Sequence, residues 1–288
     1  MHDYRLILSI SVVLILTIMI SVIIGLLKGK AIYKKEIPSI IAQLYAQDIV
    51  TLFIMPLYIY SLILLYNDSI YESILIAGIA GYLLYTYASY SFFCYFNKLF
   101  LINVTAFSLS LLVFVLGAIQ LIDVMNNTDL NSNHLLVGGG IWFIIIGCFI
   151  LFLWLSQLLP ATIKDAHVAI LDESQGKLTI QALDLGLLAP AWIVFGILLI
   201  SGNDNNYVQA WFFILLAKGM TLGLAVTIMA INQTREGYPN KPGILIFSFL
   251  SFIQILLFLW VLLEVNVSEV GYPVSSCGCL LADLPLSR

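Results

Sequence analysis

The sequence predicts an all-α integral membrane protein with about eight transmembrane helices. Three observations lead there. Of the 288 residues 61% are hydrophobic and 10% are charged, whereas a soluble domain carries about 25% charged residues. Uncharged runs of about 20 residues, the length that crosses about 30 Å of hydrocarbon, recur along the whole chain. None of these runs alternates polar and apolar residues, as the strands of a membrane barrel must. The mean hydropathy of +1.04 leaves too little polar side chain to cover a globular surface. Backbone in lipid satisfies its own hydrogen bonds by forming helix.

The spans read as 6–27, 48–66, 73–95, 99–122, 139–160, 182–201, 207–231 and 243–265. The first is apolar from Leu6 to Leu27. That is too long for a signal-peptide core of about 7–15 residues, and no small-x-small cleavage site follows, so it reads as a retained helix. Residues 36–47 carry a helical apolar stripe of Ile37, Ile40, Ile41 and Leu44. This stripe reads as an interfacial helix leading into the second span. No connection is long enough to fold as a soluble domain, so residues 1–288 read as a single transmembrane domain.

Basic residues in short loops orient such a chain. One side holds Lys28, Lys30, Lys34, Lys35, Lys98, Lys164, Lys177, Arg235 and Lys241; the other holds Arg5 and Arg288. The lysine-rich side is therefore expected in the cytoplasm, and the protein in the cell membrane. The Asn- and Asp-containing loops at Asp68, Asn126–Asp129 and Asp204 fall on the other side. A net charge of −4, spread over loops, implies no nucleic-acid partner. No run of Lys and Arg is dense enough in sequence to form a phosphate-binding patch.

Spans 2 and 6 share a layout. Gln47-Asp48 and Leu183-Asp184 open them, and Pro56 and Pro190 follow about two turns later. A proline removes one helical hydrogen bond and frees a carbonyl four residues back. Spans 4 and 8 both follow an Asn-Lys pair, Asn97-Lys98 and Asn240-Lys241. This is the layout of a weak 4+4 parallel repeat, and paired interrupted helices point to a binding site in transporters. Chance is the other reading, since these residues are common at helix ends and proline is frequent in membrane helices.

Lys218 stands near the middle of span 7 in Leu215-Leu216-Ala217-Lys218-Gly219. A lysine there costs about 2.5–3.5 kcal/mol on insertion scales and needs a partner or a wet cavity. At about 1.5 Å per residue, Lys218 lies about 20 Å from the lysine-rich end of its helix and Asp184 about 3 Å. That gap argues against Asp184 as its partner. Gln254, at about 16 Å, Ser251 one turn shallower, or a freed carbonyl is expected instead. The bland alternative is a lysine satisfied by its neighbours. Gly219 and Gly223, and Ala77 and Gly81, read as close-packing faces.

Nine of the fifteen tyrosines lie between Tyr58 and Tyr95. Aromatic belts at membrane interfaces account for some of them. Tyr82, Tyr85, Tyr87 and Tyr90 cover more than one face of span 3, so some of them point into the bundle, where a hydroxyl wants a partner. Counting spans puts Asp48, Tyr87, Tyr90, Asn97, Trp154 and Asp184 on the lysine-rich side. A ligand site is therefore expected as a polar-aromatic mouth there, built from Asp48, Tyr87, Tyr90, Asn97 and Asp184, floored by Lys218 and Gln254. Cys94 and Cys148 lie in or beside spans and Cys277-x-Cys279 in the tail, and His2, His134 and His167 lie outside the spans. No metal-ligand spacing results, and no metal or cofactor is implied.

The run Gly81-Tyr-Leu-Leu-Tyr-Thr-Tyr-Ala-Ser-Tyr90, with Phe96-Asn-Lys-Leu-Phe-Leu101, Trp154-Leu-Ser-Gln-Leu-Leu-Pro160 and Leu183-Asp-Leu185, resembles an uncharacterised prokaryotic family of multi-span membrane proteins. The likeness covers about residues 46–230. It implies the membrane fold and brings no activity. Where the resemblance implies Glu and His, this chain has Gln157 and Gln181, which removes two protonatable groups.

Three function classes follow. The first is transport of a small solute or ion, or ligand sensing, suggested by interrupted helices and Lys218. The second is an accessory subunit of a larger membrane complex with partner subunits. The third is a lipid- or quinone-directed enzyme at the interface. The missing histidines, nucleophilic cysteines and paired carboxylates weigh against enzymatic chemistry. The expected partners are the lipid bilayer and a small molecule or ion.

Overall fold

The computed structural model describes residues 4–65, 70–126, 133–164, 171–172, 174–202 and 205–264. Among these residues there are eight helices long and apolar enough to cross a membrane: α1 (Tyr4–Ile32), α2 (Pro38–Ile63), α3 (Ile70–Phe93), α4 (Phe100–Met125), α5 (His134–Ile163), α6 (Thr179–Ile200), α7 (Asn206–Arg235) and α8 (Lys241–Leu263). The chain is an all-α, polytopic membrane protein. Each predicted span falls on one helix. The acidic loops at 67–69, 127–129 and 203–204, with His2, His167 and the Cys277/Cys279 tail, lie outside the described residues.

The predicted interfacial helix is instead the start of α2. Pro38 takes the first helical position after an extended Ile37, a place where its missing N–H costs nothing. No breaker separates residue 47 from Asp48, so the helix runs through. The predicted stripe is buried in the bundle at Ile40 and Leu44 and half-buried at Ile37 and Ile41, and Ala42 and Ala46 beside it are buried too. Asn232 on α7 donates to the Ala42 carbonyl at 2.8 Å.

The sixth helix is interrupted. Its turn at Asp184–Leu188 is a π-helix, immediately before Pro190. Proline cannot donate to the carbonyl four residues earlier, and a widened turn accommodates that loss; such turns are frequent at functional sites. Pro56 and Pro160 lie within α2 and α5, which continue past them as α-helix.

The helix α3 is the axis of the bundle. It is buried over 78% of its apolar window, against 22% for α8. One apolar core, with Leu14, Ile18, Tyr58, Ile79 and Val113, fills the space among α1 to α4. The other gathers Phe143, Trp192, Phe212 and Phe213 among α5 to α8 and one end of α3 and α4. The seam between them is α3 against α7. There an added Cβ at Gly78 would meet Ala217, so the missing side chain is what lets the two helices approach. Gly219 faces Trp192 and Gln254, and Gly223 faces Ser251, so both α7 glycines serve close packing.

Packing partners match in part between the halves. The pairs α1–α2 and α3–α4 recur as α5–α6 and α7–α8, but the extensive α1–α4 contact has no counterpart of like extent between α5 and α8. Polar side chains bridge the helices. Ser11 meets Tyr58 at 2.8 Å, Ser21 donates to Asn103 at 2.7 Å and Gln120 donates to Ser73 at 3.2 Å. Such bonds are the ordinary glue of helices in lipid.

Candidate functional site

The carboxylates of Asp48 on α2 and Asp184 on α6 lie on opposite sides of α3, and each accepts a hydrogen bond from an α3 tyrosine. Tyr85 and Tyr90 are five residues apart, about 140° around the helix, so one helix serves both sides.

On the α2 side, the Tyr90 hydroxyl lies 2.9 Å from Asp48 Oδ1 and 3.0 Å from the Leu44 carbonyl. The Tyr90 hydroxyl is thus shared between two acceptors, one on the side chain and one on the backbone of α2. Asp48 is 2% exposed, and its Oδ2 has no partner. That oxygen turns to α1, where Gly25 leaves room for it. Tyr87 packs edge-on against Tyr90 with ring centroids 5.7 Å apart. Asn103 on α4 accepts from Ser21, but its own amide N–H group is unpartnered, and so is the Tyr33 hydroxyl. Burial, and after it the field of Asp48, holds the Tyr33 hydroxyl well above the ordinary tyrosine range. Gln47 on the same turn donates to Tyr82 and to Thr86 of α3. The α2 side is thus a sealed polar interior with spare hydrogen-bonding capacity on Asp48, Tyr33 and Asn103.

On the α6 side, Asp184 begins the π-helical turn. Tyr85 donates to its Oδ1 at 2.6 Å and the Trp154 indole N–H donates to its Oδ2 at 2.7 Å. Lys218 approaches from α7. Its stem packs near Gly81, and its ammonium lies 5.7 Å from the Tyr85 ring centroid, a cation–π distance. Tyr85 therefore touches the carboxylate through its hydroxyl and the lysine through its ring. Lys218 and Tyr85 are half-buried, whereas Asp48 and Tyr90 are sealed. Among the described residues no three His, Cys, Asp or Glu side chains gather in metal-binding range.

No family model, curated protein or solved structure matches the chain. The Gly81–Tyr90 string that suggested a family is the wall between the two carboxylates.

The expected lysine partners are corrected. Gln254 donates to the Leu216 carbonyl at 3.0 Å and accepts from Trp142 at 2.7 Å, and Ser251 donates to the Phe247 carbonyl. None of these bonds involves Lys218, which turns to Asp184 and Tyr85. Axial arithmetic treated each side chain as a point on an upright helix. The lysine stem instead runs along α3, and Asp184 lies further inside its helix because α6 starts at Thr179. Gln254 accordingly belongs to a separate node with Trp142 and Gly219. Asn97 caps the α3–α4 connection: its Oδ1 accepts from the Leu99 N–H at 2.8 Å, and its amide donates to the Tyr95 carbonyl. Asp48 and Asp184 thus lie on two sides of α3, Asn97 belongs to the α3–α4 connection and Gln254 to the α7–α8 contact.

Sequence reasoning passed over Tyr33, Gly25 and Asn103, and it placed Tyr85 among the span 3 tyrosines that need partners without including it in the site. An asparagine inside the fourth span was the available signal, because an amide in hydrocarbon needs partners.

Proposed function

We propose that this protein moves a small solute or ion across the cell membrane, with Asp48 taking up and releasing a coupling proton. The observation that carries the reading is the Asp48 carboxyl: sealed among α1, α2 and α3, with one oxygen on Tyr90 and the other on no partner. Burying an unpaired carboxylate is costly, so the group exchanges a proton, or a cation in its place, whenever its surroundings open. Ionisable groups held inside membrane bundles mark ion paths and proton relays. The group of buried Asp184 with half-buried Tyr85, Trp154 and Lys218 is then the place for the solute: it offers both charges and two aromatic faces beside an interrupted helix. Interrupted helices at solute sites are a transporter feature. The lysine-rich side, expected in the cytoplasm, is where both sites lie.

The test is proton flux in proteoliposomes loaded with a pH-sensitive dye. Gradients of sodium, potassium and a panel of amino acids and organic anions are imposed in turn. The expected result is solute-dependent proton movement that Asp48→Asn abolishes while the thermal unfolding temperature stays close to wild type. Flux no greater than in empty vesicles across the panel, or full coupling in Asp48→Asn, would overturn the reading.

A further inference from the structure

The lysines that the sequence scatters are gathered by the fold. A cavity of about 630 Å³ opens where α1 ends and the α3–α4 connection returns, and Lys28, Lys34, Lys35 and Lys98 line it. That volume is within the range of small-molecule sites, about 300–1,000 Å³. All four lysines are exposed, and none has a carboxylate within ion-pair distance among the described residues. The one acid in the lining is Glu36, and it is already used. Its Oε2 accepts from Lys177 at 3.1 Å and its Oε1 accepts from the Tyr95 N–H. The cavity therefore holds four uncompensated positive charges, drawn from positions up to 70 residues apart in sequence.

Its surroundings indicate what kind of anion would fit. Leu27 and Phe96 on the rim are 76% and 75% exposed, and Leu101 beside them is 73% exposed. A second hollow of about 350 Å³ shares Phe96, Asn97 and Lys98 with the first and extends along Phe100 and Leu101. These residues occupy the last two turns of α1, the α3–α4 connection and the first turn of α4, at the ends of membrane-crossing helices. A charged cavity is thus continuous with an apolar groove at the level where lipid headgroups lie.

We propose that this cavity binds an anionic phospholipid, with its phosphate among Lys28, Lys34, Lys35 and Lys98 and an acyl chain along Phe96 to Leu101. Basic clusters beside membrane helices attract anionic headgroups, each lysine adding to the affinity. The chains give the lipid a second set of contacts that free phosphate lacks.

The experiment uses the purified full chain in a neutral detergent with phosphatidylcholine. Thermal unfolding and native mass spectrometry are followed on adding dioleoylphosphatidylglycerol, dioleoylphosphatidylcholine or inorganic phosphate. Two charge-matched variants are compared: Lys34→Gln/Lys98→Gln in the cavity, and Lys30→Gln/Lys241→Gln on the same side but outside it. Phosphatidylglycerol is expected to raise the unfolding temperature of wild type by several degrees in a saturable way. The cavity variant is expected to need about tenfold more lipid or above, and the outside variant to behave as wild type. Equal losses in both variants would mean diffuse charge and overturn the proposal. So would no shift in wild type, or a shift from phosphate alone as large as that from the lipid.

Discussion

The Oδ2 atom of Asp48 on α2 occupies the space that a side chain at Gly25 on α1 would fill. The α1–α2 contact is thus built around a carboxyl group, and the glycine is there for space, inside a helix with ordinary geometry. Gly25→Ala forces the carboxyl off its Tyr90 contact or the helices apart. Overpacking of this kind costs about 1–3 kcal/mol. Asp48→Ala in the same chain removes the obstacle. The double variant is therefore expected to be more stable than the sum of the single losses predicts, by at least about 0.5 kcal/mol, measured by thermal unfolding in detergent.

Asp184 is held by two donors, Tyr85 and Trp154. An asparagine keeps its oxygen for the Trp154 indole, which only donates, and turns its N–H group to the Tyr85 hydroxyl, which can also accept. Asp184→Asn thus exchanges charge-assisted bonds for neutral ones and is expected to cost about 1 kcal/mol. Adding Trp154→Phe leaves the asparagine oxygen without its donor, and the double variant is expected to be less stable than Asp184→Asn alone. A double variant as stable as Asp184→Asn would refute this account of the site.

The helices were legible because hydrocarbon thickness sets their length and excludes charge. The eight spans needed nothing beyond counting. The partners of Lys218 were not legible, because a helix has three or four faces and sequence alone does not say which neighbour meets which face. Tyr85 and Tyr90 show this directly. Both stand in the same aromatic run, yet α3 sends one to α6 and the other to α2. The start of α2 was misread for a related reason. An apolar stripe at helical spacing fits a lipid surface and a protein groove equally well, and only the position of α7, with Asn232 on the Ala42 carbonyl, decides between them.

Lys177 ties the segment before α6 to the α3–α4 connection. Its ammonium lies 3.3 Å from the Tyr95 ring centroid and 3.1 Å from Glu36 Oε2. Lys177→Met keeps most of the stem but leaves Glu36, whose side chain is 1% exposed, without its cation. The loss is expected at about 1.5–3 kcal/mol. Amide hydrogen exchange over residues 174–178 is expected to speed up while that of α3 stays unchanged. Unaltered exchange in this segment would mean that the ion pair contributes nothing to holding it.

Cys94 follows the last residue of α3, and its thiol is pushed up to about 12, first by burial and then by the carboxylate of Glu36, with Lys177 acting in the opposite direction. The sign for stability follows from proton counting. Below a pH of about 8.5, the ordinary thiol value, folded and unfolded states both hold the proton and the contribution is complete. Between there and about 12 the unfolded chain loses its proton first, so stability falls as pH rises. Reactivity follows the same protonation. In a chain with Cys148, Cys277 and Cys279 replaced by serine, N-ethylmaleimide is expected to label Cys94 at pH 8 about a thousandfold more slowly than an unperturbed thiol, the ratio set by about three pKa units. Glu36→Gln removes the second cause and is expected to move the labelling profile to lower pH. A mere loosening of the connection would raise the rate equally at every pH, so the position of the profile separates the field of Glu36 from simple exposure.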